Sequence, residues 1–206
     1  IVKRIAAGGH RTCAVVDVDG PSGNPEVVKC WGDNSADNLG IRDEGLADDL
    51  KVGDAPAEMA NANLEAVDLP AGFIPVSVTM GEVHSCVISD ESEVYCWGLN
   101  PIGQLGRGDT VDIVYPDDAV SANQIGNINP LDFGGGMTGV AWLASYKDYT
   151  CAVLEDAEVR CWGENIDGSL GLGDANVRGD DELLGAVPPV NLVFERMVVD
   201  GAAGTG

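Results

Sequence analysis

Short apolar stretches alternate with corners rich in glycine and aspartate along most of the chain. Ile5-Ala6-Ala7 runs into Gly8-Gly9, and Thr12-Cys13-Ala14-Val15-Val16 follows. After the polar stretch Asp17-Val18-Asp19-Gly20-Pro21-Ser22-Gly23-Asn24-Pro25, the chain returns as Val27-Val28-Lys29-Cys30-Trp31. Short β-branched runs bounded by Gly, Pro, Asn and Asp predict strands and tight corners. The same figure recurs twice more without the long polar stretch. Cys86-Val87-Ile88 turns at Asp90-Glu91-Ser92 and returns as Val94-Tyr95-Cys96-Trp97; Cys151-Ala152-Val153-Leu154 turns near Asp156 and returns as Val159-Arg160-Cys161-Trp162. The segments 44–75, 110–139 and 175–196 are less regular, acidic and rich in Asn, Gly and Pro. A short helix is predicted over 56–65, with Pro56 in its first turn, where a missing N–H does no harm.

The returning strand opens a motif that the chain writes three times. Its copies are Trp31-Gly32-Asp33-Asn34 through Leu39-Gly40, Trp97-Gly98-Leu99-Asn100 through Gly103-Gln104-Leu105-Gly106, and Trp162-Gly163-Glu164-Asn165 through Gly168-Ser169-Leu170-Gly171. Tryptophans at 31, 97 and 162 set a period of about 65 residues, and a fixed period signals a repeat architecture. Asn34, Asn100 and Asn165 suit a tight turn, because Asn tolerates the left-handed region and bonds nearby backbone. Leu39, Leu105 and Leu170 are read as core anchors beneath that turn. Asp43, Asp109 and Asp174, three residues past each Leu-Gly, are read as turn or cap residues.

The six cysteines fall as one pair per repeat: Cys13 with Cys30, Cys86 with Cys96, and Cys151 with Cys161. A hairpin centred on Glu91 or Asp156 places the residues five before and five after opposite each other. Opposed residues can reach the Cα separation of about 4.4–6.8 Å that a disulfide needs. In the first repeat the extra residues fit in the hairpin loop. An even count locked to the repeat argues for three disulfides and an oxidising compartment.

Composition narrows the reading. Glycine is abundant (28 residues), and hydrophobic content of 45% can supply a core. No apolar run approaches the roughly 18 residues that span a membrane. Ile1 in place of Met reads as the start of a processed chain or of a fragment. A net charge of -23 repels phosphate backbones and disfavours nucleic-acid binding.

The motif resembles the repeat of the regulator of chromosome condensation family, whose blade carries a strand ending in Ala-Gly, a His-Thr-Cys-Ala-like strand, and then Trp-Gly-x-Asn-x-x-Gly-Gln-Leu-Gly. The second repeat matches best, with His84-Ser85-Cys86 and the full run 97–106. The third has Ser169 for Gln and Tyr149 at the His place. The first has Asp37 for Gly, Asn38 for Gln and Arg11 at the His place. The resemblance implies an all-β chain of β-propeller blades, and the cysteine pairs are similar to a secreted bacterial branch. One repeat domain over 1–206 is expected, with repeats of about 1–75, 76–139 and 140–196, and 197–206 as the first strand of a further blade. A family ring usually has about seven blades. Three form an open arc or part of a larger ring or assembly, with two uncovered ends.

Candidate chemistry is sparse. A Cys-His nucleophile needs a free thiol, and all six thiols are matched. Zinc held by His84, Cys86 and Cys96 conflicts with the persistence of the cysteine pair where Arg11 and Tyr149 replace the histidine. Asp17-Val18-Asp19-Gly20 and the stretch 174–182 are the candidate calcium loops, though neither has EF-hand spacing. No cofactor is expected. The motif tryptophans are read as packing residues and not as a carbohydrate platform; Trp142 lies outside the motif and has no assigned role.

The function expected is a non-catalytic extracellular or cell-surface module, structural or binding, with a building block of a surface assembly or filament as one form. Its partners would be another protein or copies of itself, as an oligomer, a filament or a piece of a longer chain. The alternative is a partner-regulating propeller such as a small-GTPase exchange factor, which reducing conditions and free thiols would favour.

Overall fold

The computed structural model describes residues 1–18, 26–41, 51–59, 64–114, 125–134 and 139–192. Each repeat folds as an antiparallel sheet. The first holds β1 (Val2–Gly8), β2 (Arg11–Asp17), β3 (Glu26–Asp33) and the two-residue β4 (Lys51–Val52), in that order. The second holds β5 (Pro75–Met80), β6 (His84–Ser89) and β7 (Val94–Gly98); the third holds β8 (Val140–Tyr146), β9 (Tyr149–Leu154) and β10 (Val159–Gly163). These are three propeller blades. β1, β5 and β8 are the equivalent first strands, and adjacent blades meet through β1 with β5 and β5 with β8. The outer fourth strand shrinks to one bridge in the later blades. Gly32 pairs with Val52, Gly98 with Ile113, and Gly163 with Arg178.

The predicted helix over 56–65 does not form in its described part. Residues 56–59 make a turn, in which the Glu58 amide donates to the Ala55 carbonyl at 3.1 Å. The Glu58 carboxylate also accepts from the Gly53 amide at 2.6 Å, so the side chain closes a loop instead of capping a helix. Residues 60–63, Asp19, Asp43 and the strand expected over 197–206 lie outside the described residues.

Disulfides join Cys13 to Cys30, Cys86 to Cys96 and Cys151 to Cys161, with Cα atoms 4.0–4.1 Å apart. Each pair is directly opposed in its hairpin register. Closing so short a loop in the unfolded chain stabilises each blade by about 3 kcal/mol on the chain-entropy model.

The motif asparagine acts through its side chain. The Oδ1 atoms of Asn34, Asn100 and Asn165 accept from the amides of Leu39, Leu105 and Leu170 at 3.0, 2.9 and 3.0 Å. Asn100 Nδ2 donates to the Asp109 carbonyl at 2.8 Å and Asn165 Nδ2 to the Asp174 carbonyl at 3.0 Å. The left-handed places, expected at the asparagines, are taken by Gly103 and Gly168, and by Asp37 in the first blade (φ 51°). The leucines are buried beneath the turn.

Blades lock through the same turn. A Cβ on Gly40 would lie 2.7 Å from Trp97 Nε1, and one on Gly106 2.8 Å from Trp162 Nε1. The Leu-Gly corner of one blade therefore sits directly on the tryptophan of the next. Trp162 Nε1 donates to the Gln104 carbonyl at 2.9 Å. At the first junction the equivalent carbonyl, that of Asn38, accepts instead from Arg11 Nη1 at 2.9 Å. Arg11 Nη2 also donates to the Glu82 carbonyl at 3.1 Å, so Arg11 clamps the first blade to the second. Burial lowers its pKa to about 10 despite the nearby Asp33, and the guanidinium stays charged near neutral pH. At the second junction buried His84 takes that place, its Nε2 2.8 Å from Thr150 Oγ1.

Two outcomes follow from this packing. Gly106→Ala forces a left-handed alanine against an indole and should cost about 2–4 kcal/mol, against about 1 kcal/mol for Gly173→Ala, which is also left-handed but meets nothing within 4 Å. Urea midpoints of the two variants measure the gap. Burial, helped by the Arg11 charge, lowers the His84 pKa to about 3. Between that value and the ordinary 6.5, the unfolded chain binds a proton that the folded chain refuses. The His84 contribution is thus complete above about pH 6.5 and is lost as pH falls toward 3, at up to about 1.4 kcal/mol per unit. Denaturation curves across that window should show a shallower slope for His84→Gln than for the parent.

Candidate interaction surfaces

The lock repeats twice inside the chain and leaves a half-lock at each end. Trp97 and Trp162 are wholly buried, each beneath the preceding blade. Among the described residues no blade covers Trp31, which is only partly buried. It borders an open hollow of about 480 Å³ with His10, Asp33, Lys51 and Asp54. At the far end, Gly168, Ser169 and Gly171 are exposed, whereas their counterparts Gly103, Gln104 and Gly106 are buried. In the second blade those positions are covered by the third: a Cβ on Gly103 would lie 2.4 Å from the Asp180 amide. Beside the far end Tyr146 stands exposed, in edge contact with Tyr149 at 6.1 Å.

A second surface lies along the first strands. Arg4, Ser77 and Trp142 occupy one register, paired with Val15, Ile88 and Val153 two residues beyond the first cysteine of each blade. They line an open groove of about 700 Å³, together with Ile5, Val76 and Asp90. Trp142 is 58% exposed and Ile5 65%. No repeat signal marked this register in the sequence, because the three residues differ in chemistry and only strand pairing aligns them.

All six cysteines are oxidised, so Cys86 and Cys96 offer no thiolate to a zinc ion beside His84. Asp174 Oδ1 accepts from the Asn176 amide at 2.9 Å, and its other oxygen pairs with Arg178 at 2.7 Å. Within the stretch 174–182, Asp180, Asp181 and Glu182 bring one carboxylate oxygen each within 4.8 Å of one another. Burial, then a hydrogen bond that the protonated carboxyl makes to Asp181, raises the Glu182 pKa. Burial and the charges of Glu164 and Glu82 raise that of Asp148, marking an acidic rim beside the Trp-Gly turns. Asp17 belongs to β2, and the rest of the 17–20 loop is described only at Val18.

Among the described residues no helix is long and apolar enough to cross a membrane. The family model for the regulator of chromosome condensation (RCC1) repeat matches residues 76–104, which span β5 to the motif of the second blade. The ultraviolet-B receptor UVR8 of Arabidopsis thaliana is 30% identical over 206 residues, covering 98% of this chain and 38% of the receptor. The chain thus spans well under half of that relative's length. Among solved structures, human WBSCR16 superposes with a TM-score of 0.64 at 22% identity, over 89% of this chain and 41% of that one. Prp20p of Saccharomyces cerevisiae, described with its binding to Gsp1p and histones, gives 0.61 at 18% identity, over 89% and 38%. With three blades, three copies of the Trp-Gly to Leu-Gly turn and these likenesses, the chain belongs to the regulator of chromosome condensation (RCC1) repeat family.

Proposed function

We propose that this chain is a non-catalytic, extracellular or cell-surface module that works by protein–protein association, its blade ends being the surfaces that associate. One observation carries the reading: Trp31 and the motif of the third blade are the unmatched halves of a lock that is complete at both internal junctions. A head-to-tail contact between copies would seat Trp31 of one on the corner of another that exposes Gly168, Ser169 and Gly171. Such a contact is heterologous, so it closes into a ring or runs on as a filament. Further repeats on the same polypeptide would meet the same need. The reading assigns no cofactor and no nucleic-acid partner, in keeping with a net charge of -23.

The extracellular part of the proposal rests on the three disulfides, which a reducing cytosol would not maintain. The second reading is a partner-regulating propeller inside the cell, such as a small-GTPase exchange factor, which free thiols in the native protein would favour. Mass spectrometry of the native protein after thiol alkylation separates the two. No alkylated cysteine supports the extracellular module, and six alkylated cysteines support the intracellular regulator.

Light scattering tests the association. The chain should exceed its monomer mass of 21.3 kDa as concentration rises. Trp31→Ala and Ser169→Arg, at opposite ends, should each remain monomeric alone. Mixed, they should form dimers, because each keeps the half that the other lacks. A parent chain that stays monomeric at every concentration overturns the proposal.

A further inference from the structure

We propose that the groove across β1, β5 and β8 binds a neutral oligosaccharide, with Trp142 as its stacking platform. Trp142 stands outside the repeat motif, on β8, and is 58% exposed. An indole exposed to this extent offers a broad apolar face that a sugar ring can cover with its C–H bonds. Its register mates complete the chemistry. Ser77, one blade back, is small and leaves the middle of the groove open, and Arg4, two blades back, brings a guanidinium to the far wall. Among the described residues Arg4 Nη1 donates to the carbonyl of its neighbour Lys3, at 2.9 Å, and no other bond of its guanidinium is seen, which leaves donors for a ligand. Asp90 adds a carboxylate on the same wall system.

A donor fork, an acceptor carboxylate and an aromatic face together suit a ligand that carries many hydroxyls, each of which both donates and accepts. The charge of the ligand follows from the rest of the molecule. A net charge of -23 opposes a polyanion, and one arginine facing one aspartate gives the groove no net sign. A volume of about 700 Å³ lies within the usual range for small-ligand sites. The groove is an open trough without the enclosed apolar pocket that anchors a peptide side chain, so a glycan suits it better than a peptide.

Isothermal titration of the chain with cellohexaose, maltohexaose and laminarihexaose tests the proposal, with polygalacturonate as the acidic counterpart. At least one neutral hexasaccharide should bind at millimolar concentration or below. Trp142→Ala should weaken that sugar at least about tenfold, a loss of about 1.4 kcal/mol. Trp142→Phe should keep most of the affinity, and both variants should still unfold in one cooperative melting transition. Repeating the titration in Trp31→Ala, where the blade ends cannot associate, keeps the result independent of self-assembly. Absence of binding by all three neutral sugars, binding that survives Trp142→Ala, or binding of polygalacturonate alone would each overturn the proposal.

Discussion

The burial of Trp97 and Trp162, each beneath the Leu-Gly corner of the blade before it, is the contact on which the rest of this structure depends. It is asymmetric: the corner always comes from the earlier blade and the indole from the later one. That direction explains why the motif repeats along the chain with so little change. The glycine must lack a side chain because the indole nitrogen occupies the space a Cβ would need. The leucine must reach down into the core, and the asparagine must hold the leucine amide so that the corner keeps its shape. Losing a buried tryptophan typically costs about 3–5 kcal/mol, as much as a short disulfide loop contributes. Neither the sulfur bridges nor the indoles dominate; the bridges hold each blade together and the indoles hold blade to blade.

The two junctions reach the same geometry by different polar chemistry. At the first, Arg11 takes the carbonyl that the indole would otherwise use, and Trp97 Nε1 has no hydrogen-bond partner among the described residues. At the second, the indole keeps its carbonyl, and His84 reaches Thr150 across the junction. The residue two before the first cysteine thus decides how neighbouring blades recognise each other near the inner strands. In the third blade that residue is Tyr149, whose ring meets that of Tyr146 edge to face.

Much of this was legible from residues alone, and the limits have physical causes. Cysteine spacing reported the hairpin register, because directly opposed residues must be equidistant from the turn. The repeated Trp-Gly to Leu-Gly run reported the blade count. Of the two reasons for asparagine in the turn, bonding to nearby backbone holds and the left-handed φ falls instead to Gly103, Gly168 and Asp37, since a side chain that closes a turn and one that tolerates a left-handed φ leave the same trace in sequence. The helix expected from Pro56 failed because Glu58 satisfies the local amides of Gly53 and Ala55 first. Arg11 looked like a departure from the family pattern, although it clamps two blades. Its partners are backbone carbonyls 27 and 71 residues away, which no sequence pattern encodes. Trp142 had no reading until strand pairing set it level with Arg4 and Ser77.

The directional lock is open to one direct measurement: hydrogen exchange at the four indole nitrogens, followed by NMR on the dilute chain. The account predicts slow exchange at Trp97 and Trp162, fast exchange at Trp142, and exchange at Trp31 that starts fast and slows only as the chain is concentrated. Exchange at Trp162 as fast as at Trp142 would contradict it, because no corner could then be seated on that ring.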